Sequence, residues 1–222
     1  GTSTNETSET SEKSTGLSWE NIYSVSERDT AELALTFGLA TQKTKTGVFA
    51  AWTDEGLLYA TICNETGCSK SEAIAVDVNP RGYSTIGFDN TVAIAYSSGR
   101  IIKAIQSVDG GITWSSPITV TTLSNTVSTL NIGAWKNPED QIVHFIGYGE
   151  GSSEYGQLNV VAVDFTNNTV SEPYRVDTSN TENASTTSPS FADMGAAGLA
   201  LTWRSNQNTQ KDSMILSSVH GS

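Results

Sequence analysis

The chain has 222 residues, a length that suits one all-β domain. Its 24 acidic residues against 12 basic ones give a formal net charge of -12, which argues against a nucleic-acid surface or an acidic membrane as partner. No apolar run approaches the length of a membrane-spanning helix, and no secretory leader is visible.

Residues 1–15 are almost entirely Ser, Thr, Glu and Asn, with no apolar side chain to bury. They read as a tail or linker ahead of a domain at 16–222. Such a segment suits extended pairing against a strand edge of a neighbouring subunit. From there on, strands recur in sets. Segments 19–25, 70–76, 114–120 and 170–176 are copies of one short strand. Ala51 and Trp52, Ala95 and Tyr96, Gly147 and Tyr148, and Thr202 and Trp203 each end an apolar strand before a polar turn. A third set, 57–63, 101–107, 158–164 and 214–219, is rich in aliphatic or β-branched residues. Each repeat predicts an inner strand, an aromatic-ended strand, a third strand, a hairpin turn and an outer strand. The spacing, roughly 45 to 55 residues, suits a four-stranded blade.

The first repeat carries Cys63 and Cys68 across its third hairpin. Aligned on the outer strand, they take the places of Ser107 and Ile112 in the second repeat and face each other. This predicts a disulfide, and with it an extracellular or cell-surface location. The histidines, His144 and His220, lie in other repeats, so neither a metal site nor a cofactor is expected. Residues 77–82 match a calcium loop only in part, because Arg81 stands at a ligand position. Asn5, Asn64, Asn167 and Asn183 begin sequons that permit N-glycosylation.

The second repeat holds the sequence Ser107, Val108, Asp109, Gly110, Gly111, Ile112, Thr113, Trp114. The two glycines supply positive φ for a tight turn, and the short acid can accept the turn's own N–H groups. This stretch resembles the Asp box of sialidase-like β-propellers, with Ser107, Asp109, Gly111, Thr113 and Trp114 at its key positions. The third repeat has a longer stretch, 149–156, that reads as a loop between its middle strands. Its hairpin from Asp164 to Thr169 keeps turn chemistry without the motif. A polar connection, 177–188, leads into a fourth repeat that stops after its third strand. The segment 17–25 would supply the missing outer strand. The expected fold is a four-bladed β-propeller closed by an N-terminal strand; a β-sandwich is the alternative.

In sialidase-like propellers the active site lies on the face opposite the Asp boxes. By that resemblance this face would present Arg28, Asp54, Glu55, Arg81, Tyr83, Arg100, Glu150, Glu154, Tyr155, Arg204 and Lys211. Arg81, Arg100 and Arg204 suit bidentate capture of a ligand carboxylate, with Glu154 and Tyr155 beside them. Sialidases usually have six blades, however, and their arginine motif is missing from the first inner strand. No acid, base and nucleophile stand at a recognisable spacing. The sequence therefore reads as a non-catalytic extracellular module for binding or adhesion, or a subunit of a surface assembly, with glycans or neighbouring subunits as partners. A glycoside hydrolase of sialidase-like type is the alternative.

Overall fold

The computed structural model describes residues 40–44, 47–79, 82–152, 155–176, 186–205 and 213–219. The tail at 1–15, the closing strand expected at 17–25, and Arg28, Arg81, Glu154, Asn183, Lys211 and His220 lie outside the described residues.

The described chain forms four antiparallel sheets, each a meander in chain order. The first holds β1 (Ala40–Thr44), β2 (Gly47–Asp54), β3 (Leu57–Asn64), β4 (Gly67–Cys68) and β5 (Glu72–Ala75). The second holds β6 (Tyr83–Phe88), β7 (Thr91–Ser98), β8 (Ile101–Ser107) and β9 (Ile118–Thr122). The third holds β10 (Val127–Lys136), β11 (Ile142–Ser152), β12 (Tyr155–Asp164), β13 (Thr169–Val170) and β14 (Tyr174–Arg175). The fourth holds β15 (Thr186–Asp193), β16 (Leu199–Ser205) and β17 (Ser213–Val219). Among the described residues there is no α-helix, only a 3₁₀ turn at Gly195–Ala197.

Each hydrophobic core lies between consecutive sheets. Along β7, Val92, Ile94 and Tyr96 join a cluster with Phe49, Ala51 and Leu58 of the first sheet. The alternate residues Ala93 and Ala95 join a cluster with Ile146, Tyr148 and Val161 of the third. Trp135, Phe145 and Leu158 then meet Leu199, Leu201 and Trp203 of the fourth. This is why β7 reads as one apolar run: a strand covered on both faces has no polar side to alternate with. Each fully buried Val, Leu or Ile here contributes about 1.5–3 kcal/mol.

The inner strands meet in series. β10 packs against β6 and β15, and β6 against β1. The Ser84 hydroxyl accepts the Ile132 N–H at 3.2 Å, tying β6 to β10. Gly133 and Gly147 make room for the fourth sheet, since a Cβ on Gly133 would lie 2.4 Å from the Phe191 Cβ.

A backbone lock repeats at the start of each outer strand. The Ser69, Ser115 and Ser171 N–H groups donate to the Ile62, Gln106 and Ala162 carbonyls at 2.8, 2.8 and 3.0 Å. Each serine hydroxyl in turn accepts the N–H of that same partner. The lock corrects the alignment read from sequence. Ser69, not Ser71, is the counterpart of Ser115, so Cys68 corresponds to Trp114 rather than to Ile112. The two cysteines still sit directly opposite across β3 and β4 and are disulfide-bonded.

The stretch 149–156 is also corrected. Its described residues are strand: Gly149 pairs with Leu158, Glu150 with Gln157, Gly151 with Gly156 and Ser152 with Tyr155. Its glycines mimic loop composition, but continuous cross-strand pairing carries the hairpin two pairs past the level of the Ser98–Ile101 pair in the second sheet. At about 3.4 Å per residue this makes an arm roughly 7 Å taller.

Candidate functional site

The sheets have two distinct ends. One carries the β2–β3, β7–β8 and β11–β12 hairpins and the link from β9 to β10. The other carries the turns between third and outer strands, including the Asp109 turn.

All four register shifts among the described strands fall at the hairpin end. The extra residue falls at Ser128 in β10, between Thr187 and Ser190 in β15, at Ile74 in β5 opposite Leu58 and Tyr59, and at Val120 in β9 opposite Ile102 and Lys103. Bulges re-aim side chains and concentrate next to functional sites. In β10 the shift falls at Ser128, whose hydroxyl and that of Thr129 are buried without a partner beside Gly149. The β2–β3 hairpin turns through Glu55 and Gly56, at φ 48° and 77°.

The predicted residues at this end take different parts. Arg100 is exposed, and its guanidinium donates to the Ser124 carbonyl at 3.0 Å. Glu150, on the tall arm, accepts the Ser124 N–H at 2.8 Å and the Asn125 N–H at 3.3 Å. Together they fasten the link between the second and third sheets. Arg204 lies on β16 and Tyr155 at the tip of the arm on β12, their side chains outside the described set. Tyr83 is not a face residue. It is buried between the first two sheets, its hydroxyl donates to the Ala51 carbonyl at 3.3 Å, and burial pushes its pKa up to about 12. Asp54 and Glu55 occupy the β2–β3 hairpin as expected. Among the described residues no three His, Cys, Asp or Glu side chains cluster as metal ligands.

At the opposite end, residues 107–114 form a tight turn built around one carboxylate. Asp109 Oδ1 accepts the Ile112 and Thr113 N–H groups at 3.0 and 2.9 Å and the Ser107 hydroxyl at 2.7 Å. Asp109 Oδ2 accepts the Thr113 hydroxyl at 2.6 Å. Partial burial works to raise the Asp109 pKa, but the bonds from Thr113, Ser107 and Ile112 outweigh it and hold it at about 2. Gly110 and Gly111 take φ 78° and 103°, and the Gly110 N–H docks on the Asn90 carbonyl at 2.7 Å. In the third sheet Asp164 caps its own turn through the Thr166 and Asn167 N–H groups. Phe165 there meets buried His144 edge-on at 5.1 Å, and burial lowers the His144 pKa to about 4. A cleft of about 640 Å³ opens at this end between the second and third sheets, and Arg100 is not among its lining residues. Asn64 and Asn167 are exposed on its hairpin turns.

No family model matches the chain, and no curated protein matches it in sequence. Solved structures do match it in shape. An α-L-arabinanase of Penicillium chrysogenum, described complexed with arabinobiose, has TM-score 0.58 at 11% identity, over 83% of this chain and 62% of the neighbour. A polysaccharide lyase of family PL25, an ulvan lyase, has TM-score 0.52 at 11% identity, over 82% of this chain and 55% of the neighbour. The same lyase bound to -[GlcA(1-4)Rha3S]- gives TM-score 0.52 at 12% identity. The chain thus spans under two thirds of the length of these neighbours, and at such identity the likeness is one of fold. That fold is all-β and of the propeller-like kind found in glycan-active enzymes. The expectation of a non-catalytic module for binding, adhesion or assembly is corrected by these neighbours, which cleave glycans. Sequence reasoning missed this because the likeness resides in sheet arrangement, which residue spacing does not record at 11% identity.

Proposed function

We propose that this chain belongs to a glycan-cleaving enzyme, a glycoside hydrolase, with its substrate at the hairpin end. The likeness to the arabinanase fold carries the reading. The gathering of all described bulges at one end, and the tall β11–β12 arm beside them, support the placement. Arg81, Arg100, Arg204, Glu154 and Tyr155 are the proposed substrate contacts. Glu154 is proposed as one of the two carboxylates that glycoside hydrolysis generally requires.

Two further readings go with it. The four sheets are proposed to be the blades of a propeller related to the Asp-box group, closed by the segment 17–25. Support comes from the bonding of the Asp109 turn, and from Ala50 and Trp52, which are buried on the side of the first sheet that faces away from the second. An extracellular location is proposed from the Cys63–Cys68 disulfide.

The test is product release from arabinan and from ulvan. New reducing ends without new ultraviolet absorbance mark hydrolysis. Products with a new carbon–carbon double bond mark elimination and would replace the hydrolase reading with a lyase one. Absence of cleavage across neutral and acidic polysaccharides would refute both.

A further inference from the structure

The serine locks make corresponding positions comparable between interfaces. Between the first and second sheets, Trp114 packs on Phe49 with ring centroids 5.6 Å apart. Gly111 sits under the same ring and beside Ile62. Counted from the locks, the second and third sheets have Val170 in place of Trp114, Asn167 in place of Gly111 and Gln106 in place of Ile62. Counted from the paired aromatics Trp52 and Tyr96, Ala93 replaces Phe49. The two large rings have become Val and Ala, and the isoleucine an amide. Gln106, Asn167 and Val170 at these positions line the cleft of about 640 Å³.

We propose that this cleft is a second binding site, for a neutral oligosaccharide, separate from the hairpin end. Its volume falls within the range of small-ligand sites, roughly 300–1,000 Å³. Hydroxyl and amide side chains from both sheets line it, among them Thr91, Gln106 and Thr169, alongside the aliphatic Ile142 and Val170. Its charged lining residues are the carboxylates Asp140 and Asp164. The nearby Lys136 ammonium is already paired with Asp140 at 2.5 Å. Uronates, sulfated sugars and phosphates would meet the like charge of Asp164 there, and the nearby cation is already taken by Asp140. A neutral sugar offers hydroxyl donors to the carboxylates and amides, and C–H faces to the aliphatic wall. Asp164 is held in place by the Thr166 and Asn167 N–H groups and by Asn167 Nδ2, so little ordering remains to be done on binding. That the ligand is a glycan rests on the proposed function; the position and charge of the cleft do not.

The experiment follows amide shifts of isotopically labelled protein during titration with arabinotriose, cellotriose and a trigalacturonate. Shifts centred on Thr91, Gln106 and Thr169 with a neutral trisaccharide, and none there with the trigalacturonate, are expected. Val170→Trp, which restores the bulk of Trp114, should weaken that binding at least about tenfold, equivalent to ~1.4 kcal/mol. If that variant does not fold, Thr91→Ala with Gln106→Ala serves in its place. The proposal is overturned by shifts confined to Arg100 and Glu150, by equal binding of the trigalacturonate in the cleft, by variants that bind as the wild type does, or by no shift with either neutral sugar. A protein that cleaves nothing would still give the cleft shifts, so the two readings fail separately.

Discussion

At the aspartate-turn end, the first and second sheets close on each other while the second and third leave a cleft. Loop length does not make the difference. Gln106 and Ser115 are nine residues apart, as are Ala162 and Ser171, and both pairs are bonded alike. The repeat keeps its backbone bonding and lets side-chain volume vary. Closure then depends on whether a large ring stands before the serine lock: Trp114 does, Val170 does not.

That contrast can be broken from either side. Trp114→Ala should cost about 3 kcal/mol, because it empties a filled interface, whereas Val170→Ala should cost about 1. Denaturant unfolding of the two variants checks the ratio; equal costs would show that the interfaces are filled alike.

Nearly as large is the effect of His144, whose counterpart in β7, four residues before the paired aromatic, is Val92. Burial lowers the His144 pKa from 6.5 to about 4, so the folded state favours the neutral ring. The associated stability is fully present above pH 6.5 and is lost as pH falls toward 4, by about 3 kcal/mol in all. His144→Val should flatten stability over that window, as measured by unfolding at a series of pH values.

Smaller effects concern the turns themselves. Reducing Cys63–Cys68, or replacing both by Ser, should cost about 2 kcal/mol, since the closed loop is short. Asp109→Asn retains one acceptor oxygen and should cost about 1 kcal/mol, a value kept low by the solvent exposure of the turn. Its acid dependence has a matching sign. With the pKa held at about 2, the wild-type contribution is present above pH 4 and fades as pH falls toward 2. Thermal unfolding of each variant beside the wild type reads these differences.

Much of the fold was legible in the sequence because its signals are local. Aromatic-ended apolar strands and polar turns at a regular spacing sufficed to predict β2, β7, β11 and β16. The bonding expected of Asp109 followed from turn chemistry alone. What failed depended on long-range pairing. The glycines at 149, 151 and 156 look like a loop unless their cross-strand partners are known. Ser69 and Ser71 are equally plausible from spacing, and only the Ile62 carbonyl decides between them. Tyr83, at a strand start, reads as exposed until the first sheet is seen to cover it. The cleft left no sequence signal, because it borders Val170 where the second sheet has Trp114.

The proposed cleavage of a glycan at the hairpin end is tested most directly by release of reducing ends from arabinan by the wild-type protein and by Glu154→Gln, side by side. Release by the wild type, lowered in the variant by at least about 100-fold, is the predicted result. Equal rates in the two proteins, or no release by either from any polysaccharide supplied, would contradict it.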